Sequence, residues 1–238
     1  MTHYVHTARN INLREIYVWE FPVRLYHWVN VLSLIALCGT GYLIGNPIVT
    51  PFAAEASFSY VFGIIRFIHF VAAFVFFFNF VVRLYWGFVG NKYSRWYHFI
   101  PLKKSQWQDI VNVLKVDVLQ LVHKKINDIG HNSLASFTYF LTFIAFVLQS
   151  LTGFGMYAAM SDSWFPKLFH WIVPVLGGDL PTRNLHHILM WVFILFAMVH
   201  VYLVFYHDYI ERRGVTSSMI GGWKFIEEDL AKKEEVEK

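Results

Sequence analysis

The chain has 238 residues, 56% hydrophobic and 19% aromatic, with only 15% charged and a formal net charge of +4. A soluble domain carries about 25% charged residues, so this chain is short of polar surface and reads as a polytopic membrane protein. The basic residues flank apolar runs, which argues against nucleic-acid binding. The single cysteine, Cys38, excludes an intrachain disulfide, thiolate iron–sulfur ligation and Cys-x-x-Cys-His haem attachment, leaving imidazole chemistry to twelve histidines.

The segment before Leu25 is polar and lacks the apolar centre of a signal peptide, so the amino terminus is expected to be retained. Four runs then reach the roughly 20 residues needed to cross a bilayer: about 25–44, 64–89, 134–160 and 185–208. Tyr and Trp gather at their ends (Tyr17, Trp19, Tyr26 and Trp28, then Tyr85 and Trp86, Trp164, Tyr206 and Tyr209), as in an interfacial aromatic belt. The first run carries His27 near its start and Gly39 and Gly41 near its end; the second carries His69.

Between the second and third runs, Trp107, Ile110, Val111, Leu114, Val118, Leu121 and Val122 recur at helical spacing among lysines. That predicts a helix over about 105–126, either lying in the membrane interface or packed on a partner. The third run holds Gly153 and Gly155. The loop after it contains Pro166, Pro174, Gly177, Gly178 and Pro181, read as turn makers. The fourth run carries His186, His187 and His200. From about 226 to 238 the chain is a charged tail, leaving 1–225 as one membrane domain.

Lys and Arg set the orientation. They crowd the amino-terminal segment, the middle loop and the tail; the opposite side has only Arg66, Lys167 and Arg183. The positive-inside rule then predicts both termini and the middle loop in the cytoplasm. Histidines inside spans are costly and mark function by default. His186 and His200 are fourteen positions apart, which at about 100° and about 1.5 Å per residue brings them within roughly 40° of one face and about 21 Å apart in depth. His187 lies roughly 140° from His200 by the same rise and turn, so it ranks as a neighbour and not a ligand.

The alternating direction of the spans places His27 and His200 near the cytoplasmic side, and His69 and His186 near the outer side. Two bis-imidazole sites emerge, each suited to the iron of one haem b: two strong-field axial ligands leave an iron that carries electrons and binds no oxygen. Zinc or copper would need further ligands, and none is evident at either depth. Arg24, Arg66 and Arg183 each precede a histidine by three residues, as R-x-x-H, and are candidates to pair with haem propionates; snorkelling anchors are the competing reading. Gly39, Gly41, Gly153 and Gly155 admit either a flat macrocycle or a close helix. No catalytic residue is assigned. Arg24, His131 and Asn132 at the cytoplasmic edge are quinone-site candidates.

R-L-Y-H-W at 24–28, R-F-I-H-F at 66–70, G-H-N-S-L-A at 130–135 and R-N-L-H-H at 183–187 together resemble the b-type cytochrome subunit of membrane-bound nickel–iron uptake hydrogenases. That family is related to the cytochrome b subunit of formate dehydrogenases, and the resemblance covers roughly 14–225. It implies an all-α, four-helix bundle in the bacterial inner membrane with two haems b, whose ligand positions match His27, His69, His186 and His200. It further implies electrons arriving from an iron–sulfur small subunit, anchored by its own membrane helix and joined to a large nickel–iron subunit, and leaving to menaquinone or ubiquinone. The chain would then be the electron-transfer and quinone-reducing subunit of a hydrogen:quinone oxidoreductase, with no dihydrogen activation of its own. Ser133 stands where many relatives are expected to have Pro. The alternatives are service to formate dehydrogenase or another outer-face oxidoreductase and, in a different class, a cofactor-free membrane anchor.

Overall fold

A computed structural model of the chain describes residues 13–47, 60–96, 107–108, 111, 133–211 and 214–228. In chain order the elements are β1 (Leu13–Tyr17), α1 (Phe21–Gly45), α2 (Val61–Val89), α3 (Ser133–Ala158), the single turns α4 (Trp164–Lys167) and α5 (Ile172–Val175), α6 (Asp179–Glu211), α7 (Val215–Gly221) and β2 (Trp223–Glu227). Four of the helices are long and apolar enough to cross a membrane, and the chain is a multi-pass membrane protein. Their outer faces carry large apolar side chains: Phe67 is 67% exposed, Leu195 63% and Phe205 61%. Lipid makes such surfaces favourable, and a helix is one of the two backbone forms that satisfies its own polar groups there.

α1 packs on α2, α3 packs on α6, and α6 also meets α1. The buried centre is aromatic. Phe80 and Phe146 stack at 3.8 Å, Phe146 lies 4.4 Å from Phe76, and Phe193 closes the cluster from α6. Rings of this size exclude water and interlock without polar groups to satisfy.

Several sequence expectations are revised. The fourth span runs from Asp179 rather than about 185, because Pro181 sits inside its first turn, where a missing N–H costs nothing. Thr182 Oγ1 donates to Gly178 O at 2.7 Å, and Asp179 accepts from Arg183 at 2.8 Å, which consolidates that turn. Pro166 and Pro174 likewise lie within α4 and α5. The fold is not purely helical: β1 and β2 form an antiparallel pair running from Leu13 opposite Glu227 to Tyr17 opposite Trp223. β2 therefore crosses the expected domain boundary at 225, and it brings the strand before α1 and the strand after α7 to one end of the bundle. Trp19, expected in the aromatic belt, is instead buried with Val18 and Val23 beneath this sheet. Of the helix expected over 105–126, the described residues Trp107, Gln108 and Val111 are helical; the rest lies outside the described residues.

The same end is tied by side chains. Glu20 accepts from Trp86 Nε1 at 2.9 Å and Asn91 N at 2.8 Å, and Asn91 Nδ2 donates to Val18 O at 2.9 Å. Gly222, at φ +90°, lets its carbonyl accept from both Val18 N and Trp19 N; a Cβ there would collide with Tyr17 and the Trp19 carbonyl.

Candidate functional site

Helices α1, α2 and α6 bring four histidines together in two pairs. His27 of α1 faces His200 of α6 with ring centroids 6.4 Å apart and planes at 54°. His69 of α2 faces His186 of α6 at 6.5 Å and 65°. The adjacent rings are those that charge bias and helix rise set at equal depth. Seven residues separate His69 from Phe76, and seven separate Phe193 from each histidine of α6, so the phenylalanine cluster lies at the level between the two pairs.

The spacing tests whether haem iron fits. A metal–imidazole bond of about 2.0–2.1 Å, plus about 1.1 Å from nitrogen to ring centre, separates two trans imidazoles by about 6.3 Å. Both observed separations agree. Among the described residues no group of three or more His, Cys, Asp or Glu could hold a metal ion, which disfavours a bare zinc or copper site. His27 Nδ1 is buried and has no hydrogen-bond partner among the described residues, an unpaired imidazole atom at the His27–His200 pair.

At the His69–His186 pair the glycines make the fit. A Cβ on Gly41 would lie 3.3 Å from His69 Cε1, and one on Gly153 would lie 3.0 Å from His186 Cε1. His69 Nδ1 is 2.9 Å from Thr40 Oγ1, and His186 Nδ1 is 2.9 Å from Thr152 Oγ1. Gln149 Nε2 lies 3.1 Å from His186 Nε2.

The other expected residues divide. Gly155 packs against Ile172 of α5, at 3.0 Å from a built Cβ, and so serves helix packing; Gly39 has nothing within 4 Å. Arg183 is exposed and ion-paired with Asp179, and Arg66 is exposed. Arg24 donates from Nη1 to Ile220 O at the end of α7, joining the first turn of α1 to the sheet region. His187 lies against the last turn of α1, where a Cβ on Gly45 would be 2.6 Å from its Cε1. His131 and Asn132 lie outside the described residues.

Thr40, Thr152, Gln149 and Arg83 lie outside the set of residues expected from the sequence. The threonines adjoin the glycines of that set, within CGTGY and LTGFG. Arg83 is 3% exposed inside an apolar span, an intramembrane charge that the residue order alone displays. Its Nη2 donates to Ser94 O at 3.1 Å, and its guanidinium lies 5.5–6.0 Å from the rings of Tyr26, Trp96 and Tyr139.

Residues 18–222 match the family model described as prokaryotic cytochrome b561. The chain is 39% identical over 219 residues to a protein of Azotobacter vinelandii named probable Ni/Fe-hydrogenase B-type cytochrome subunit, covering 90% of each chain. It is 38% identical over 221 residues to the protein of that name from Cupriavidus necator, covering 91% of this chain and 90% of the relative. It is 34% identical over 218 residues to the probable Ni/Fe-hydrogenase 1 B-type cytochrome subunit of Escherichia coli K12, covering 90% and 92%.

Proposed function

Because the chain belongs to the prokaryotic cytochrome b561 family, we propose that it is the dihaem b-type cytochrome subunit of a membrane-bound nickel–iron hydrogenase, passing electrons from the iron–sulfur small subunit to membrane quinone. The observation that carries this reading is the pair of imidazole–imidazole gaps of 6.4 and 6.5 Å, stacked along α6. Haem b, when bound, supplies a one-electron couple at each level.

The chain's own residues do the rest. His27 and His200 hold the inner site; His69 and His186 hold the outer one. Gly41 and Gly153 keep the outer imidazoles free to approach. The Phe76, Phe80, Phe146 and Phe193 layer keeps water from the level between the sites. Arg24, near His27 at the inner end, is the described candidate for the quinone site, with His131 and Asn132 proposed beside it. Arg66 and Arg183 stay candidates for propionate contact at the outer edge, Arg183 only by leaving Asp179. Dihydrogen activation belongs to the large nickel–iron subunit, since this chain's one cysteine cannot ligate a nickel–iron centre. The small subunit, anchored by its own membrane helix, would dock at the outer end. The chain sits in the bacterial inner membrane with both termini cytoplasmic, and its acceptor is menaquinone or ubiquinone.

The test is a dithionite-reduced-minus-oxidised spectrum of the purified protein with a haem-to-protein ratio. A b-type α-band at two haems per chain is expected. A protein without an α-band would be an anchor, and the reading would fail.

A further inference from the structure

Resting on the assignment of His69 and His186 to one haem, we infer that Thr40 and Thr152 are matched positioning residues: they fix the tautomer and ring plane of both ligands, and so set the potential of the outer haem alone. A threonine hydroxyl has one proton. Thr40 Oγ1 is 2.6 Å from Ala36 O, and Thr152 Oγ1 is 2.8 Å from Leu148 O, each one turn back in its own helix. Oxygens at that separation share a proton, so each hydroxyl donates to its carbonyl. What each presents to the imidazole 2.9 Å away is a lone pair. Nδ1 must therefore donate, and Nε2 keeps the lone pair that an axial ligand needs. Gln149 Nε2 lies 3.1 Å from His186 Nε2, a contact that suits the same tautomer with the amide donating. Gln149 and iron are alternatives for that lone pair, so the amide yields when iron binds.

The two supports are built alike on different helices. Each is Thr followed by Gly: the hydroxyl holds Nδ1 on one side of the contact, and the missing Cβ admits the ring at Cε1 on the other. Neither residue is a good helix former, so propensity does not account for finding the dipeptide twice. Thr152 is 1% exposed, leaving no room for water to replace its oxygen. The inner pair differs, since His27 Nδ1 has no such partner among the described residues. An acceptor on Nδ1–H makes an imidazole a more basic ligand and favours the ferric state. Removing it raises the potential.

The experiment uses the whole hydrogenase complex, with redox titration of the haem α-bands and ferric low-spin EPR, which reads the angle between axial imidazole planes. Thr40→Val and Thr152→Val are each expected to keep two haems and to raise the potential of one. That haem is the one deleted by His69→Ala or His186→Ala. Its EPR signal shifts, the other haem is unmoved, and Thr→Ser at the same position restores the wild-type values. Unchanged potentials and EPR in both Val variants overturn the inference and leave the haem assignment standing. Haem loss in a Val variant that Ser does not reverse also overturns it, because side-chain volume rather than the hydroxyl would then matter. Two haems persisting in His69→Ala and His186→Ala would sink the ligand assignment, and this inference with it.

Discussion

Gly153 faces His186 across the α3–α6 interface, where a Cβ would lie 3.0 Å from Cε1 of the imidazole. That is tighter than a side chain comfortably makes, so the position suits glycine. Gly153→Leu is expected to push His186 off its site and leave one haem per chain. Gly63, with nothing within 4 Å, is the control, and Gly63→Leu should keep both. A haem assay on the two purified variants checks this; equal haem content would count against the contact.

The pairing of histidines has a signature in double variants. His27→Ala and His200→Ala act on one site, so combining them should cost no more haem than either alone. His27→Ala with His69→Ala should abolish both haems. Non-additivity of this kind is expected only for residues that act as a unit. Loss of both haems in the His27/His200 double variant, with one retained in each single variant, would contradict the pairing.

Arg83 is a buried cation within α2. Arg83→Ala deprives the Ser94 carbonyl of its donor and removes a guanidinium from among three aromatic rings. A loss of about 2–4 kcal/mol is expected, read as a lower thermal unfolding midpoint in detergent. Arg83→Lys should recover little of it, because an ammonium lacks the planar fork that meets rings and carbonyl together. An unchanged midpoint in Arg83→Ala would show that the cation is dispensable.

If dihydrogen is oxidised at the outer end and quinone is reduced at the inner end near Arg24, electrons cross the membrane through this chain. Turnover should then be electrogenic. Reconstituted vesicles given dihydrogen and quinone should develop a membrane potential, followed with a voltage-sensitive dye. Electroneutral turnover would place the quinone site at the other end.

Strong local signals in the residue order carry much of this architecture. Apolar runs bounded by Tyr, Trp and basic residues define spans because lipid penalises every charge and every unpaired backbone group inside it. The rise of a helix is fixed, so residue number converts directly to depth. Charge bias and helix rise together therefore set His27 level with His200 and His69 level with His186, the rings that lie 6.4 and 6.5 Å apart. Span ends were less legible: Pro181 looks like a turn residue in sequence, and only the geometry of the first turn of α6 shows that it belongs inside a helix.

What the tertiary structure alone decided is lateral. Depth says nothing about which face of α1 meets α2, so Gly41 and Gly155 looked equivalent; one lies against an imidazole and the other against Ile172. Nor does sequence reveal that Leu13–Tyr17 and Trp223–Glu227 pair, because two short strands so far apart in the chain carry no local signal of each other. Thr40 and Thr152 gain meaning only when packing sets each hydroxyl 2.9 Å from the ring nitrogen of another helix. Hydropathy and helix rise carry the spans and the relative level of each histidine in the residue order. Packing decided which atoms hold the imidazoles in place, because a hydrogen bond depends on tenths of an ångström that no periodicity encodes.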